Sequence, residues 1–464
     1  MTLIKSISGI RGTIGGKVSD NLTPIDAVKF ASAYGMWLLE RHKNKKNLLV
    51  VIGRDARISG KMISSLVANT LVGLGINVLD AGLSTTPTVE IGVVLENADG
   101  GIIITASHNP KQWNALKLLN EKGEFLNAAE GEKILEIAEN DAFDFALVDY
   151  LGSYTKNTDL IARHIETVLA LELVDVEAIK KANFKVVVDA VNSTGGIAIP
   201  ALLDKLNVET VKLYCDPTGE FPHNPEPLEK NLTAISERVV AEKADLGIVV
   251  DPDVDRLALV NEDGSMFGEE YTLVACADYV LSKTPGNTSS NLSSSRALRD
   301  VTNKNGGTYT ASAVGEVNVV VKMKETDAVI GGEGNGGIIY PASHYGRDSL
   351  VGVALFLSHL AQTGVSCKAL RDTYPSYFMS KNKIELTPEL DVDAILKKMS
   401  EIYKDEEINT IDGVKIDFEN EWVHLRKSNT EPIIRIYTES DSQENADELA
   451  QKFMTKIREV AESL

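Results

Sequence analysis

Cysteine is scarce in this 464-residue chain: three residues, Cys215, Cys276 and Cys367, with no CxxC spacing among them. That excludes a disulfide-built fold and a cysteine zinc site, and it predicts reduced, buried thiols in a reducing, cytoplasmic setting. Long apolar runs are absent too. No stretch approaches the roughly 20 apolar residues that span a bilayer, and the start Met1-Thr2-Leu3-Ile4-Lys5-Ser6 has no apolar core of a signal peptide, so no membrane partner is expected. Basic charge is in deficit: 47 Lys and Arg against 67 Asp and Glu give a formal net charge of −20. A nucleic-acid partner, which needs a basic stripe, is therefore not expected. Any anionic ligand must be received by a few cations focused in a cleft.

What is present is the composition of a globular protein, 43% hydrophobic and 25% charged. The length exceeds one ordinary core and predicts about three or four domains. Short β-branched runs alternate with amphipathic stretches, the pattern of α/β modules. The runs Leu48 to Ile52, Gly101 to Ile104, Lys185 to Val188, Gly247 to Val250 and Ala328 to Ile330 read as strands. Several end in a loop rich in Gly or Asp, among them Gly53-Arg54-Asp55, which fits ligand placement at strand ends in open α/β sheets. Asp26 to Arg41, Ala128 to Asn140 and Thr158 to Ala170 read as helices. The patch Thr284 to Ser295, rich in Ser, Asn, Pro and Gly, reads as a surface loop. After a boundary near Ser366 to Asp372 the character changes. Strands at Lys383 to Leu386, Val414 to Phe418 and Trp422 to Arg426, then a helix Glu444 to Glu459 capped by Ser442, predict a smaller α+β unit.

Two loops carry chemistry. Thr105-Ala106-Ser107-His108-Asn109-Pro110 delivers a serine at the end of an apolar strand. Serine is a weak nucleophile, so it needs a base, a metal or a prior modification; a turn-capping serine is the plain alternative. Asp251-Pro252-Asp253-Val254-Asp255-Arg256 offers three alternating carboxylates at a strand end, suited to a hard cation such as Mg²⁺. A calcium loop ending at Glu262 is a rival, but its sixth position requires Gly where Arg256 stands, and strands rather than helices flank it. An aspartyl-phosphate loop with Asp251 as nucleophile is another rival, and it leaves the serine loop without a purpose. Two further loops are Gly331-Gly332-Glu333-Gly334-Asn335-Gly336-Gly337 and Arg426-Lys427-Ser428-Asn429-Thr430-Glu431-Pro432 with Arg435 following. The first is no dinucleotide fingerprint; the second has the arginines, hydroxyls and amides of a phosphate cradle.

These four motifs, in this order across nearly the whole chain, resemble the α-D-phosphohexomutases: phosphoglucomutase, phosphomannomutase and phosphoglucosamine mutase. The resemblance implies an α/β fold with three related α/β domains and a smaller α+β C-terminal domain around a central cleft. Boundaries are expected at residues 1–153, 154–259, 260–368 and 369–464. It implies an enzyme that moves phosphate between O6 and O1 of a hexose through a bisphosphate intermediate. Glucosamine phosphate is expected first as the partner, with mannose or glucose phosphate next. A metal-dependent phosphatase and a non-catalytic sugar-phosphate sensor are the readings from other classes.

By the same resemblance Ser107 is a phosphoserine, and one Mg²⁺ per chain is held by Asp251, Asp253, Asp255 and Ser107, with a sugar bisphosphate as activator. Lys117 and His108 are implied for proton handling; a solvent-facing lysine and a loop histidine are the alternatives. Arg256 and Arg11 are implied near the moving phosphoryl group. Glu333 and Asn335 are implied on the sugar, and Arg426, Ser428, Asn429, Thr430 and Arg435 on the distal phosphate. The sequence departs from the commoner family pattern of Glu-x-Ser followed by Gly-His: Asn335 replaces the Ser and Gly337 the His. The loop Ala313-Val314-Gly315-Glu316 lacks the Lys or His of some relatives.

Overall fold

The computed structural model describes residues 2–6, 9–385, 391–427 and 433–463. Four sheets divide the chain. The first has seven strands, centred on the parallel set Gly100–Ile104, Leu49–Arg54 and Asn77–Leu83. The second has four, Leu257–Asn261, Leu246–Val250, Lys185–Asp189 and Glu209–Leu213 in spatial order. The third also has four, Tyr309–Ser312, Asn287–Asn291, Ala328–Glu333 and Gly337–Ile339. The fourth has five antiparallel strands from Phe378–Glu385 to Ile433–Ser440 and packs against Gln443–Ser463.

One device recurs in the first three sheets. A buried strand pairs parallel on one side and antiparallel on the other, and the loop closing the antiparallel hairpin carries chemistry. Gly100–Ile104 turns into Trp113–Leu119 through the serine loop. Leu246–Val250 turns into Leu257–Asn261 through the three aspartates. Ala328–Glu333 turns into Gly337–Ile339 through the glycine-rich segment. The expected α/β architecture of three related units and a different fourth is thus present. A single apolar cluster running from Ile161 to Tyr374 joins the second and third units.

Most expected elements form within a residue or two of their predicted bounds, and Ser442 Oγ does accept the Asn445 N–H at its helix start, 3.2 Å. Leu386 lies outside the described residues. One expectation fails: Thr284 to Ser295 is not a surface loop. Asn287–Asn291 is a buried strand in the interior of the third sheet. Its polar side chains satisfy one another inside. Thr288 Oγ1 lies 2.6 Å from Thr302 Oγ1, Ser289 Oγ donates to the Thr310 carbonyl at 2.9 Å, and Ser290 Oγ lies 2.9 Å from the Tyr309 hydroxyl. Buried polar groups that are hydrogen-bonded do not need water.

Candidate active site

Ser107 occupies the hairpin loop after Gly100–Ile104 with φ +49°, an uncommon conformation for a non-glycine residue. Its N–H donates to Thr105 Oγ1 at 2.9 Å, and Thr105 Oγ1 donates to Asp55 Oδ2 at 2.7 Å. Its own Oγ donates to Asp251 Oδ2 at 2.8 Å, a contact between residues 144 positions apart. The serine loop and the aspartate loop therefore meet through the Ser107 hydroxyl itself.

Asp251, Asp253 and Asp255 are fully buried, and one ligand oxygen from each lies within 4.8 Å of the others. Four of their six oxygens accept hydrogen bonds. Asp251 Oδ1 accepts the N–H groups of Asp255 and Arg256, both at 3.2 Å. Asp253 Oδ2 accepts from Thr86 Oγ1 at 2.6 Å and Lys117 Nζ at 2.8 Å. Asp255 Oδ2 accepts from Arg347 Nη2 at 2.7 Å and Lys117 Nζ at 3.3 Å. Asp253 Oδ1 and Asp255 Oδ1 are buried without a hydrogen-bond partner. Burial, and then repulsion from Asp255 and Asp253, raises the pKa of Asp251 well above the carboxylate range. Burial would raise Asp255 too, but Arg347, Lys117 and Arg256 outweigh it and hold Asp255 below that range. Two orphaned carboxylate oxygens beside a crowded acidic triad fit a hard divalent cation, which takes oxygen ligands and relieves the repulsion.

A cavity of about 540 Å³ opens over this centre. Arg11, Ser107, His108, Lys117, Arg256 and Glu333 all line it, so the fold gathers six of the expected residues from three sheets. Lys117 is not the solvent-facing lysine of an edge strand: its side chain is 16% exposed and points at the aspartates. Burial opposes its charge, yet Asp253 and Asp255 raise its pKa above the ordinary lysine value. His108 Nδ1 lies 3.4 Å from Ser107 Oγ. Burial first, and Arg256 second, push the imidazole down to about 3, so the ring is neutral. Arg11 is lowered by burial and then by Arg256, which marks two guanidiniums converging on one space. Converging arginines suit a dianionic phosphate.

Glu333 ends its strand rather than standing in a free loop. Its Oε1 accepts from Asn291 Nδ2 at 2.9 Å and the Gly315 N–H at 3.3 Å, and its Oε2 from Arg347 Nη1 at 3.0 Å. Asn335 is not brought to the cavity wall; its Oδ1 accepts the Gly337 N–H at 3.2 Å and shapes the loop. Arg426 and Arg435 lie directly opposite each other across Trp422–Lys427 and Ile433–Ser440, which puts both guanidiniums on one face. Arg426 Nε pairs with Asp412 Oδ2 at 2.9 Å, and the same oxygen accepts the N–H of Val314 in the cavity wall at 2.9 Å. Ser428, Asn429 and Thr430 lie outside the described residues.

Two buried arginines at the site are not singled out by the sequence. Arg347 is buried among Asp255, Glu333 and Glu316 and lines the cavity. Arg57 is buried beneath the serine loop. Each stands near a loop that the sequence marks, Gly53-Arg54-Asp55 for Arg57 and the glycine-rich segment for Arg347, but no spacing within either loop points to them.

Comparison with known proteins gives four successive family matches. These are phosphoglucomutase/phosphomannomutase α/β/α domains I, II and III over residues 3–145, 162–264 and 268–377, and the C-terminal domain over 383–456. A phosphoglucomutase/phosphomannomutase of Thermococcus kodakarensis is 37% identical over 94% of this chain and 96% of its own length. A phosphoglucosamine/phosphogalactosamine mutase of Sulfurisphaera tokodaii is 32% identical over 95% and 96%. The crystal structure of a phosphoglucomutase/phosphomannomutase family protein from Burkholderia thailandensis shares the fold, with TM-score 0.84 at 24% identity, covering 98% of this chain and 97% of that one. Among the described residues no helix is long and apolar enough to cross a membrane.

Proposed function

From the premise that this chain belongs to the phosphoglucomutase/phosphomannomutase family, we propose that its cleft interconverts hexose 6-phosphate and hexose 1-phosphate, with glucosamine phosphate the preferred substrate. One observation carries the reading: Ser107 Oγ donates to Asp251 Oδ2 at 2.8 Å on the wall of a cavity that also holds Glu333. Proximity of these groups supports a reading in which Ser107 is the phosphoryl carrier, the aspartates the cation-binding triad and Glu333 the sugar-binding carboxylate.

In this reading Ser107 carries the phosphoryl group and Arg11, Arg256 and Lys117 receive its charge. Asp251, Asp253 and Asp255 would hold Mg²⁺, which when bound supplies a positive charge to the phosphoryl oxygens. Lys117 Nζ exchanges a proton with the sugar hydroxyl as phosphate leaves or returns to Ser107. His108, whose Nδ1 lies 3.4 Å from Ser107 Oγ, contributes hydrogen bonding. Glu333 orients the sugar, and Arg426 with Arg435 holds the phosphate that is not being transferred. The sugar bisphosphate must turn over between two half-reactions, which explains why phosphate groups are needed at both ends of the cleft. Three free thiols, two of them buried, support a cytoplasmic setting.

The test is a coupled turnover assay with Mg²⁺ and a trace of hexose 1,6-bisphosphate, comparing glucosamine, glucose and mannose 6-phosphates by kcat/KM. Preferred turnover of the amino sugar is expected. Release of inorganic phosphate without isomerisation would replace this reading with a metal-dependent phosphatase.

A further inference from the structure

Arg347 divides its hydrogen bonds among three carboxylates. Nη2 donates to Asp255 Oδ2 at 2.7 Å and Nη1 to Glu333 Oε2 at 3.0 Å. Nε donates to Glu316 Oε2 at 3.0 Å, and the backbone N–H to Glu316 Oε1 at 2.9 Å. Glu316 thus fixes the plane of the guanidinium, and the two terminal nitrogens reach one residue of the aspartate loop and one of the sugar-side loop. A planar fork sets the spacing between the groups it holds, which a lysine ammonium on a flexible stem cannot do.

The seat for this side chain is visible at Gly337. A Cβ there would lie 2.3 Å from Arg347 Cδ and 3.0 Å from its Cγ. Gly337 is not among the positive-φ glycines, so its backbone does not require glycine. The space requires it. A side chain at 337 is sterically incompatible with Arg347 as placed. The two positions form a pair: a bare 337 and an arginine at 347.

Building on the proposed function, we propose that Arg347 is a positioning residue that fixes sugar-side Glu333 against metal-side Asp255, and that Gly337 is kept bare to seat it. The arginine sets where the sugar hydroxyls lie relative to the phosphoryl group on Ser107, and so which hexose is turned over best.

A double-mutant cycle tests this. Gly337→Ala, Arg347→Ala and the double variant are compared by kcat/KM for glucosamine 6-phosphate. The same set in a Ser107→Ala background is compared by calorimetric affinity for glucosamine 6-phosphate. Arg347→Ala is expected to lose about 100-fold in kcat/KM and Gly337→Ala at least about 30-fold, while the double variant stays within about threefold of Arg347→Ala, because the added methyl then has no arginine to displace and meets Asn335 Oδ1 at 3.1 Å. Arg347→Lys keeps the charge and answers the case in which Arg347→Ala does not fold. It is expected to stay folded, melting below the wild type but above Arg347→Ala, and to bring the kcat/KM ratios among glucosamine, glucose and mannose 6-phosphates close to one. Losses that multiply in the double variant, a near-wild-type Gly337→Ala, or an Arg347→Lys enzyme with unchanged sugar ratios would overturn the proposal. A wild type that isomerises no hexose phosphate would sink the proposed function instead, and the calorimetric cycle would still decide whether Gly337 and Arg347 act as one unit.

Discussion

Ser107 holds a backbone conformation that costs a non-glycine residue about 1–3 kcal/mol unless its surroundings over-determine it. Arg57 supplies that constraint. Its fully buried guanidinium donates from Nη1 to the Pro110 and Trp113 carbonyls at 2.7 and 3.1 Å, and from Nη2 to the carbonyls of Ser107 and Asn109. Nε is anchored on Asp55 Oδ2 at 2.9 Å, the same oxygen that Thr105 Oγ1 reaches. One side chain thus ties down both arms of the serine loop. Arg57→Lys cannot serve four carbonyls and a carboxylate, and breaking a buried pair costs about 3–5 kcal/mol. We expect a lower melting temperature and a kcat reduced by about 10–100-fold with little change in KM, since the loop positions the carrier and not the sugar. An unchanged kcat in steady-state assays would show that the loop keeps its shape without the clamp. Ser107 and the three aspartates were legible in the sequence because their chemistry is written in residue type and spacing. Arg57 was not, because four of its partners are carbonyl oxygens, which every segment possesses.

At the scale of elements, the third sheet was read least well. Asn287–Asn291 has the composition of a loop, and only its cross-strand partners make it a strand. Asn291 then contributes directly to the site by holding Glu333 Oε1. The same unit holds Glu270, half-buried, under the sugar-side loop: its Oε2 accepts the Ser295 N–H at 2.9 Å, and a Cβ on Gly334 would lie 2.2 Å from its carboxyl carbon. Burial pushes the Glu270 pKa from 4.5 to about 8, with Lys381 opposing and Glu269 and Glu439 reinforcing. A carboxyl raised in the folded state binds more protons there than in the unfolded chain. Its contribution to stability is complete below about pH 4.5 and is lost as pH rises through about 8, at up to about 1.4 kcal/mol per pH unit. Glu270→Gln, which still accepts from Ser295, should therefore flatten the fall in unfolding free energy between pH 5 and 8. A denaturation series with equal pH slopes for the two proteins would contradict this.

At the scale of the whole molecule, a chain with net charge −20 builds one cationic patch from residues far apart in sequence. Arg11, Lys117, Arg256 and Arg347 meet over the buried triad. The aspartate loop is the joint. Asp251 is tied to Ser107, Asp253 to Thr86 and Lys117, and Asp255 to Lys117 and Arg347, so the second unit is bonded to the first and third through residues of the proposed site. The fourth unit is fastened by Arg296, whose Nη1 donates to the Glu419 carbonyl and whose Nη2 donates to the Phe418 and Glu421 carbonyls, and by Asp412 on Val314. Alternating runs and four ordered motifs were enough to read the number of units and their order. The contacts between units were not readable, because they join single residues 92 to 167 positions apart without local periodicity. The central claim is that Ser107 passes a phosphoryl group to a sugar and not to water. Its most direct test is a single-turnover experiment: protein phosphorylated by hexose 1,6-bisphosphate, with the site verified by peptide mass spectrometry, is mixed with glucosamine 6-phosphate and Mg²⁺. The account predicts phosphate on Ser107 alone, and its loss in step with the appearance of glucosamine 1,6-bisphosphate. Phosphate on another residue, or its release as inorganic phosphate with the sugar unchanged, would contradict it.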